Sequence, residues 1–578
     1  MAKAKTLATR AKPRPKATAK PKPVAPTSFA KPVSPPPPTI PPSRMHAPSY
    51  HYPLLLEDKA VCEALLRWFE EIEEARNMPW RKPWLDPAVL AEKEEFGTLL
   101  EKRAYEVWVS EVMLQQTRVS TVIPYFTTWI TKWPTVHALA AASHDDVLAI
   151  WKGLGYYSRA TRLYQGAKAV VSNTSPSSPS SHCKIPSEVV ALQGIPGIGR
   201  YTAGAVSSIA FGEAEPVLDG NVARVLSRQL GLYVDAKDKK STDVLWEVAD
   251  QLVKSVVGFP ETGRSSVPGQ WNQALMELGS TVCTPRPKCE ACPIRKTCRV
   301  YAEGEILAAK KKQEGGVKDI EDACGLCLQV DTEDLVAVPD EVDTPEDDEE
   351  GSGQEMPPKR RKVEKKPANT ISNYFTASAA KAAPAVASSN EETKEVADTS
   401  SATKRKSPST TTAQAKAIAS YCSLFPKKMP KKKVPEEEAV VCVVEAHYSD
   451  GRRKWLIEQR PAKGLLASLW QFPQSTLSSA THTATTRKAA ARKFVSTLQI
   501  GYLSLREAKH VAELGSLVHV FTHLRLTMHV HHFRVDVDED GEVERGVEGV
   551  KWVETERMGD ETLSTGMRRC WDVVVGRG

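Results

Sequence analysis

The chain has 578 residues, a formal net charge of +7 and 41% apolar residues. This length exceeds what one hydrophobic core supports, so we expect about two to three folded units joined by linkers. No apolar run approaches the roughly 20 residues that cross a membrane, and no secretory signal is present. We therefore expect a soluble intracellular protein with no membrane partner.

The first 56 residues are basic and rich in proline. They hold ten lysines and arginines and no acidic residue. Such a segment buries too little apolar surface to offset its loss of conformational entropy, so residues 1–56 are predicted to form a disordered tail. A mitochondrial presequence stays open as an alternative, although the prolines at 35–38 oppose an amphipathic helix there.

Residues 57–305 form the first predicted domain and carry helical periodicity. Apolar residues recur at helical spacing, as Val112, Val119 and Ile123 do. We expect an all-α unit with two surface loops, one at the charged segment 86–103 and one at the Ser/Pro-rich segment 172–183.

The rest of the chain divides into a connector and a second domain. Residues 306–436 are rich in charged and small residues, which predicts a flexible connector. Within it, the basic run 358–363 is typical of a nuclear localisation signal, and residues 371–375 resemble a degenerate sliding-clamp motif without its leading glutamine. Four runs of β-branched or alternating residues predict an α/β domain at 437–578, namely 439–444, 454–457, 519–522 and 526–535.

Three glycines in the first domain, Gly194, Gly197 and Gly199, precede a run of small helix-forming residues. This spacing indicates a helix-hairpin-helix, in which a tight turn lets amide N–H groups at a helix N-terminus approach a DNA phosphate. Such a contact holds double-stranded DNA without reading its sequence. An ordinary glycine-rich connection between helices is the alternative.

Four cysteines with the spacing C-x5-C-x2-C-x5-C follow the helical unit: Cys283, Cys289, Cys292 and Cys298. Four thiolates suit either a [4Fe–4S] cluster or a tetrahedral zinc ion. The spacing resembles the cluster loop of the endonuclease III and MutY families, where six residues rather than five usually separate the first two cysteines. This resemblance favours an iron–sulfur cluster held by the loop 283–298.

A third motif lies at residues 108–117 (Trp-Val-Ser-Glu-Val-Met-Leu-Gln-Gln-Thr), which resemble the catalytic helix of MutY-type adenine DNA glycosylases. The chain resembles the eukaryotic, fungal-like members of this family. The resemblance implies a mainly α helix-hairpin-helix domain followed by an α/β Nudix-like domain. It also implies base excision repair of adenine mispaired with 8-oxoguanine or guanine. Glu111 would be the general acid, which must stay protonated to donate a proton to the departing base. A solvated helix surface is the alternative for a lone glutamate.

Asp219 is the second carboxylate that the family pattern implies, within residues 216–222 (Pro-Val-Leu-Asp-Gly-Asn-Val). An ionised aspartate stabilises the oxocarbenium-like sugar that the departing base leaves behind. Asn221 is expected to help hold the acid or the base. Related glycosylase/lyases have a nucleophilic lysine where this chain has Tyr201, so a monofunctional enzyme that leaves an abasic site is expected.

The resemblance also implies contacts to the bases. Residues 153–159 (Gly-Leu-Gly-Tyr-Tyr-Ser-Arg) match the family segment whose first tyrosine wedges into the duplex, which carries that role to Tyr156. Gln115 or Gln116 is expected to contact base edges. Without the resemblance, two adjacent aromatic residues are more often part of a core.

In the second domain, residues 455–461 and 469–473 resemble the Nudix-like domain with which MutY proteins recognise 8-oxoguanine. The corresponding recognition loop is Phe521, Thr522 and His523, with threonine where the family usually has serine. The carboxylate-rich signature with which Nudix hydrolases bind Mg²⁺ is absent after residue 473, so this domain is expected to hydrolyse nothing.

The connector also holds Cys324 and Cys327. Their C-x2-C spacing resembles the zinc-binding connector of animal relatives, and the resemblance implies His51 as a further ligand. One cysteine of that pattern is missing from this chain, and an incidental cysteine pair is the alternative.

Two other functions compete with adenine excision. A pyrimidine-directed glycosylase/lyase is disfavoured by Tyr201, and a catalytically silent damage-binding protein is disfavoured by the intact pair Glu111 and Asp219. The leading hypothesis is a monomeric nuclear enzyme that acts on double-stranded DNA, with mitochondrial sharing left open.

Overall fold

The computed structural model describes most of the two domains and little of the tail and connector. The described residues are 31–41, 44–90, 96–172, 185–260, 263–309, 323–330, 412–430, 433–461, 464, 466–477, 483–500, 503–521, 524–537 and 549–576. They belong to one compact unit, Met1–Leu335 with Thr412–Gly578; the second unit, Val336–Thr411, lies outside them. The predicted nuclear signal at 358–363, the clamp motif at 371–375 and the loop at 173–183 therefore lie outside the described residues.

The first domain is helical, as its periodicity predicts. Helix α1 begins at Asp58, whose carboxylate accepts a hydrogen bond from the Val61 amide, and ends at Asn77 in the left-handed conformation. The helices are α1 (Lys59–Arg76), α2 (Pro87–Leu90), α3 (Phe96–Leu114), α4 (Val119–Lys132), α5 (Val136–Ala140), α6 (His144–Trp151), α7 (Ser158–Ser172), α8 (Val189–Gln193), α9 (Arg200–Phe211), α10 (Gly220–Leu230), α11 (Lys239–Val257), α12 (Val267–Thr281) and α13 (Arg299–Ala308).

Helix α3 lies at the centre of this domain. Every residue from 103 to 113 is buried, whether it is apolar like Trp108 or charged like Glu111. A helix that is buried on all sides must pack against neighbours all round, and α4, α7 and α9 contact it. The position of α3 places Glu111 inside the domain and away from bulk water.

The charged segment 86–103 differs from its prediction as a surface loop. Helix α2 occupies part of it, and α3 begins at Phe96. Arg103 is buried because its guanidinium donates hydrogen bonds to the carbonyl oxygens of Trp80 (2.7 Å) and Lys82 (3.1 Å). The prediction is therefore wrong for residues 96–103, because the charged group finds its partners on a distant part of the backbone.

The predicted disorder of residues 1–56 is wrong for the end of the tail. Tyr50 and His51 are fully buried, within a short 3-10 helix (Pro48–His51). The Tyr50 hydroxyl donates to Glu303 Oε1 at 2.7 Å, and Arg44 forms a buried ion pair with the same carboxylate at 2.8 Å. These polar contacts with α13 hold a segment whose composition alone predicts no fixed structure.

The connector prediction also fails for residues 412–430. A helix, α14 (Thr412–Ser423), packs on α13 through the buried side chains Ile418, Tyr421 and Cys422. The Tyr421 hydroxyl donates to Glu303 Oε2 at 2.6 Å. This end of the connector is therefore part of the packing of the first domain.

The second domain is a mixed sheet with helices on its faces, in agreement with the α/β prediction. Its strands are β1 (Glu436–Tyr448), β2 (Arg453–Gln459), β3 (Trp470–Gln471), β4 (Gln474–Thr476), β7 (Lys509–Val520), β8 (Arg525–Val537) and β9 (Val550–Glu554), and a separate hairpin holds β5 (Gln499–Ile500) and β6 (Leu503–Ser504). The order is β3-β2-β1-β8-β7, with β4 paired to β1 and β9 to β2; β1 and β8 run parallel and the other pairs antiparallel.

Alternation along β1 builds two cores, one on each face of this sheet. Val441 and Val443 face a cluster that includes residues of α16 (Thr565–Val575), whereas Val440 and Val444 face one that includes α15 (Ala484–Val495). Among the described residues, none of the helices is long and apolar enough to span a membrane.

Candidate active site and metal centres

Glu111 and Tyr201 form a buried hydrogen-bonded pair between α3 and α9. The Tyr201 hydroxyl donates to Glu111 Oε2 at 2.6 Å and lies 3.1 Å from Met276 Sδ. Burial raises the pKa of Glu111 to about 7, the Tyr201 hydrogen bond opposes this rise, and the nearby Asp219 charge adds to it. Glu111 is thus a carboxylic acid that can hold a proton near neutral pH.

Asp219 lies close to this pair and is held in a different way. It is the N-cap of α10, where Oδ1 accepts from the Val222 amide at 2.7 Å and Oδ2 accepts from Asn221 Nδ2 at 2.8 Å. Burial raises the pKa of Asp219, but these donors act in the opposite direction because they stabilise the ionised form. The site therefore pairs a carboxyl that favours its acid form with one that is solvated by fixed donors.

Asn221 connects this carboxylate to the cysteine loop. Its Oδ1 accepts from Arg224 Nη2 at 2.8 Å, and Arg224 Nε donates to the carbonyl of Cys283 at 2.9 Å. The α10 N-terminus approaches α12 closely, since a Cβ on Gly279 would meet Asn221 Cβ at 2.7 Å. Asn221, which was expected to help hold the acid or the base, thus lies beside the second carboxylate, and Arg224 is a contact of Asn221 that the motif analysis missed.

Arg81 and Glu277 are further polar residues of this site that the sequence did not single out. Arg81 Nη2 lies 2.8 Å from Glu277 Oε2, and Arg76 Nη1 lies 2.6 Å from Oε1. The Arg81 charge also favours the ionised form of Glu111. The three residues come from α1, the segment after it and α12, so only the tertiary fold brings them together.

The three glycines of the hairpin occupy positions with different structural requirements. Gly197 has φ +87°, and a Cβ there would meet Arg162 Cβ at 2.8 Å, so the turn itself requires glycine. At Gly199 a Cβ would meet nothing within 4 Å, and this residue precedes α9 without a side-chain cap. Gly194 ends α8. The uncapped amides of α9 and the bare Gly199 fit the predicted approach of a phosphate.

Arg159 ties the glutamine and tyrosine predicted to contact bases into one unit. Its guanidinium donates to the carbonyl oxygens of Gln115 (2.6 Å) and Gly155 (3.1 Å), and to three others at Val112, Met113 and Leu154. Tyr156 has φ +46° and remains 40% exposed, with the Arg159 guanidinium 5.5 Å from its ring centroid. Gln116 is also exposed with φ +56°. The fold thus presents Tyr156 and Gln116 at the surface from a shared anchor.

The described part of the predicted recognition loop is the turn between β7 and β8. The Phe521 amide donates to the Leu524 carbonyl at 2.7 Å, and the Phe521 ring lies edge-on to His519 at 4.4 Å between centroids. Thr522 and His523 lie outside the described residues. Helix α15 lies after residue 473, in the region where the carboxylate-rich Nudix signature is absent, and carries four basic and no acidic side chains.

The four predicted cluster cysteines surround one cavity. Cys283, Cys289, Cys292 and Cys298 line it together with Arg228, whose Nη1 lies 3.2 Å from Cys283 Sγ. Four cysteine thiolates around one cavity are the donor set that a [4Fe–4S] cluster requires, so the residues present fit this group.

A second group of possible metal ligands is compact. His46, His51, Cys324 and Cys327 offer ligand atoms that all lie within 4.8 Å of one another, as the ligands of a single metal ion do. His51 Nε2 is 3.0 Å from His46 Nε2, 3.2 Å from Cys324 Sγ and 3.5 Å from Cys327 Sγ. The His51 Nδ1 atom is 2.9 Å from the Leu230 carbonyl, which orients the ring. His46 supplies the fourth position that the sequence analysis left empty.

Two family models match parts of this chain. Residues 109–251 match the HhH-GPD superfamily of base excision DNA repair proteins, and residues 442–573 match the NUDIX domain. The structure of a thermostable thymine-DNA glycosylase matches this chain with a TM-score of 0.32 at 23% identity. The match covers 42% of this chain and 94% of the glycosylase chain.

The relatives with which this chain aligns have the same name, adenine DNA glycosylase. The human adenine DNA glycosylase is 33% identical over 539 residues, 92% of this chain and 77% of the relative. The Schizosaccharomyces pombe adenine DNA glycosylase is 36% identical over 290 residues, 49% of this chain and 58% of the relative. The two-carboxylate site, the helix-hairpin-helix and these relatives show that the chain belongs to the adenine DNA glycosylase family of base excision repair enzymes.

Proposed function

We propose that this enzyme hydrolyses the N-glycosidic bond of adenine mispaired with 8-oxoguanine or guanine and leaves an abasic site. The observation that carries the proposal is the buried Glu111, with a pKa of about 7 and a hydrogen bond from Tyr201, beside the donor-solvated Asp219. This arrangement supports departure of a base that must accept a proton. The names and extents of the relatives support adenine as that base.

In the proposed reaction, an adenine flipped out of the duplex accepts the Glu111 proton as the bond between its N9 and the sugar breaks. The Asp219 carboxylate stabilises the cationic sugar, and water adds to it. Tyr201 holds the orientation of Glu111 but has no amine, so a Schiff base cannot form at this position. The strand then stays intact after the base has left.

Recognition of the oxidised guanine is assigned to two surfaces. Tyr156 and Gln116 are proposed to enter the duplex from the turn that Arg159 anchors, where an aromatic wedge replaces the stacking lost on base flipping. The loop Phe521, Thr522 and His523 is proposed to contact 8-oxoguanine. The absence of acidic side chains from α15 supports a binding role for this domain rather than hydrolysis.

The cysteine loop is proposed to hold a [4Fe–4S] cluster through Cys283, Cys289, Cys292 and Cys298. Its support is the cavity that the four cysteines share and the match of the preceding residues to the HhH-GPD superfamily. Bound there, the cluster would fix the loop next to α10, whose N-cap is Asp219. Arg228 donates to three carbonyls of this loop, at residues 283, 284 and 285, and contacts Cys283 Sγ, so it would offset the negative charge of the thiolates.

A zinc ion is proposed in the second group, with His46, His51, Cys324 and Cys327 as four tetrahedral ligands. Two imidazoles and two thiolates form a common structural zinc set. Their support is the convergence of the four ligand atoms and the backbone carbonyl that orients His51. The ion would join the N-terminal segment to the start of the connector.

The cellular context is proposed from the sequence. The basic run 358–363 supports nuclear import, and residues 371–375 support binding of a sliding clamp. We propose a monomer on double-stranded DNA, with some mitochondrial import as a second destination.

Three duplexes test the proposed reaction, carrying adenine opposite 8-oxoguanine, adenine opposite guanine, or thymine glycol. We expect strand breaks on the first two only after alkali, because an abasic site is alkali-labile. Cleavage of the thymine glycol duplex without alkali would contradict the proposal and favour a glycosylase/lyase. A Glu111→Gln variant should bind the first duplex and leave it uncut.

A further inference from the structure

A fifth cysteine lies at the cluster cavity. Cys422, from α14, lines the same cavity as the four loop cysteines, and Cys289 packs against the apolar cluster that contains Cys422. It is only 1% exposed. A [4Fe–4S] cluster needs four cysteine ligands, and the loop already supplies them. Cys422 is therefore a surplus sulfur at the site, contributed by a part of the chain remote from the loop in sequence.

Contacts on several sides hold Cys422 in place. The neighbouring Tyr421 donates to Glu303 of α13 at 2.6 Å. Arg228 Nε donates to the Phe425 carbonyl at 2.9 Å, while the same guanidinium contacts Cys283 Sγ. On α13, Gly304 lets Ile418 approach closely, since a Cβ there would meet Ile418 Cγ2 at 3.1 Å. The position of the thiol is thus fixed by a packed framework.

Cys422 lies among apolar side chains beside the cysteine loop. It packs among Tyr233, Val300, Ile418 and Phe425, and Cys289 and Cys298 pack against the same cluster. The 3-10 helix Cys289–Ala291 also contacts α14. A thiol is a weak hydrogen-bond donor and a cluster-bound sulfur would be an acceptor, so the Cys422 S–H would donate to the Cys289 sulfur.

We propose that Cys422 is a positioning residue of the cluster, which donates a hydrogen bond to the Cys289 thiolate while α14 closes the cavity against oxidants. The inference rests on the proposed [4Fe–4S] cluster. Hydrogen bonds to cluster sulfurs and solvent exposure are two of the factors that set the reduction potential of a cluster. A donor disfavours removal of an electron, because it stabilises the more negative state of the cluster.

The test uses the full-length protein and its Cys422→Ala and Cys422→Ser variants. Cys570→Ala is the matched control, because Cys570 is equally buried but lies in the second domain. Iron and sulfide are first measured per chain, and loss of the visible absorbance is then followed in ferricyanide. We expect Cys422→Ala to lose the cluster about threefold to tenfold faster than wild type, as removal of one hydrogen bond of ordinary net strength implies. Its reduction potential should shift to a more negative value.

The serine variant separates donation from packing. Serine keeps a donor of nearly the same size, so it should bleach more slowly than Cys422→Ala and at close to the wild-type rate. Equal bleaching rates in wild type and Cys422→Ala would overturn the inference, and so would equal damage by serine and alanine, including failure of both variants to load iron. Wild-type protein without iron would instead refute the cluster itself.

Discussion

The pH profile of adenine excision depends on the Glu111–Tyr201 contact, and Tyr201→Phe tests it. The 2.6 Å hydrogen bond from Tyr201 opposes the rise in the pKa of Glu111, which burial brings to about 7. A hydrogen bond to an ionised group contributes about 1.5–3 kcal/mol, and 1.36 kcal/mol corresponds to one pH unit. Without the hydroxyl, the pKa of Glu111 should therefore rise by about one to two units further.

The sign of the expected change follows from the role of Glu111 as an acid. The proton must be present, so the wild-type rate should fall as pH rises above about 7. In Tyr201→Phe the same fall should begin about one to two pH units higher, even if the maximum rate is lower. Excision is measured under single-turnover conditions with the enzyme below saturation, and each profile is normalised to its own plateau. An unmoved or downward-shifted alkaline limb in Tyr201→Phe would refute the reasoning.

Three further outcomes are expected. Because the folded-state pKa of Glu111 (about 7) exceeds its ordinary value of 4.5, the stability that this carboxyl contributes is complete below about pH 4.5 and is lost as pH rises through 7. At about pH 8.5, urea unfolding should therefore give Glu111→Gln a free energy of unfolding up to about 3 kcal/mol larger than that of wild type, with no difference near pH 4.5. Arg159→Ala, which leaves buried carbonyls without donors, should destabilise the protein by about 3 kcal/mol or more in thermal unfolding, whereas Arg67→Ala, at a residue whose side chain is 65% exposed, should change little. His46→Ala should lower zinc below one ion per chain in metal analysis, and His137→Ala, at an exposed site, should not.

Contiguous family motifs were sufficient to find the central residues of the active site. The segments that carry Glu111, Asp219 and Tyr201 resemble those of the MutY family, and the fold brings the three residues together. Without that resemblance, a glutamate on a helix is more often solvated surface. The strand runs of the second domain needed no resemblance, since alternation is a local signal and β1, β2 and β8 cover three of them.

Contacts between segments distant in sequence could not be predicted from local motifs. His46 completes a ligand group with cysteines far along the chain, and the His51–Cys324 pair alone spans 273 positions. Arg159 lay within a recognised segment, but its task is to satisfy carbonyls at the end of α3. Long-range partners of this kind depend on the tertiary fold, which one sequence does not specify by spacing.

The prediction from composition was wrong where a few buried polar contacts hold a polar segment in place. Residues 44–56 and 412–430 have the composition of linkers, yet Arg44, Tyr50 and Tyr421 all bind the buried carboxylate of Glu303. One carboxylate with three donors fixes two such segments against α13. Such a contact depends on single residues, so it cannot be predicted from the average composition of a segment.

The most direct test of the central claim is identification of the products from a duplex with adenine opposite 8-oxoguanine. Wild-type enzyme and Glu111→Gln are incubated with it side by side, and the released base and both strands are analysed by mass spectrometry. We predict free adenine and an intact strand with one abasic site from the wild type, and unchanged DNA from Glu111→Gln. Release of another base, a strand cut by the enzyme itself, or full activity of Glu111→Gln would contradict the account.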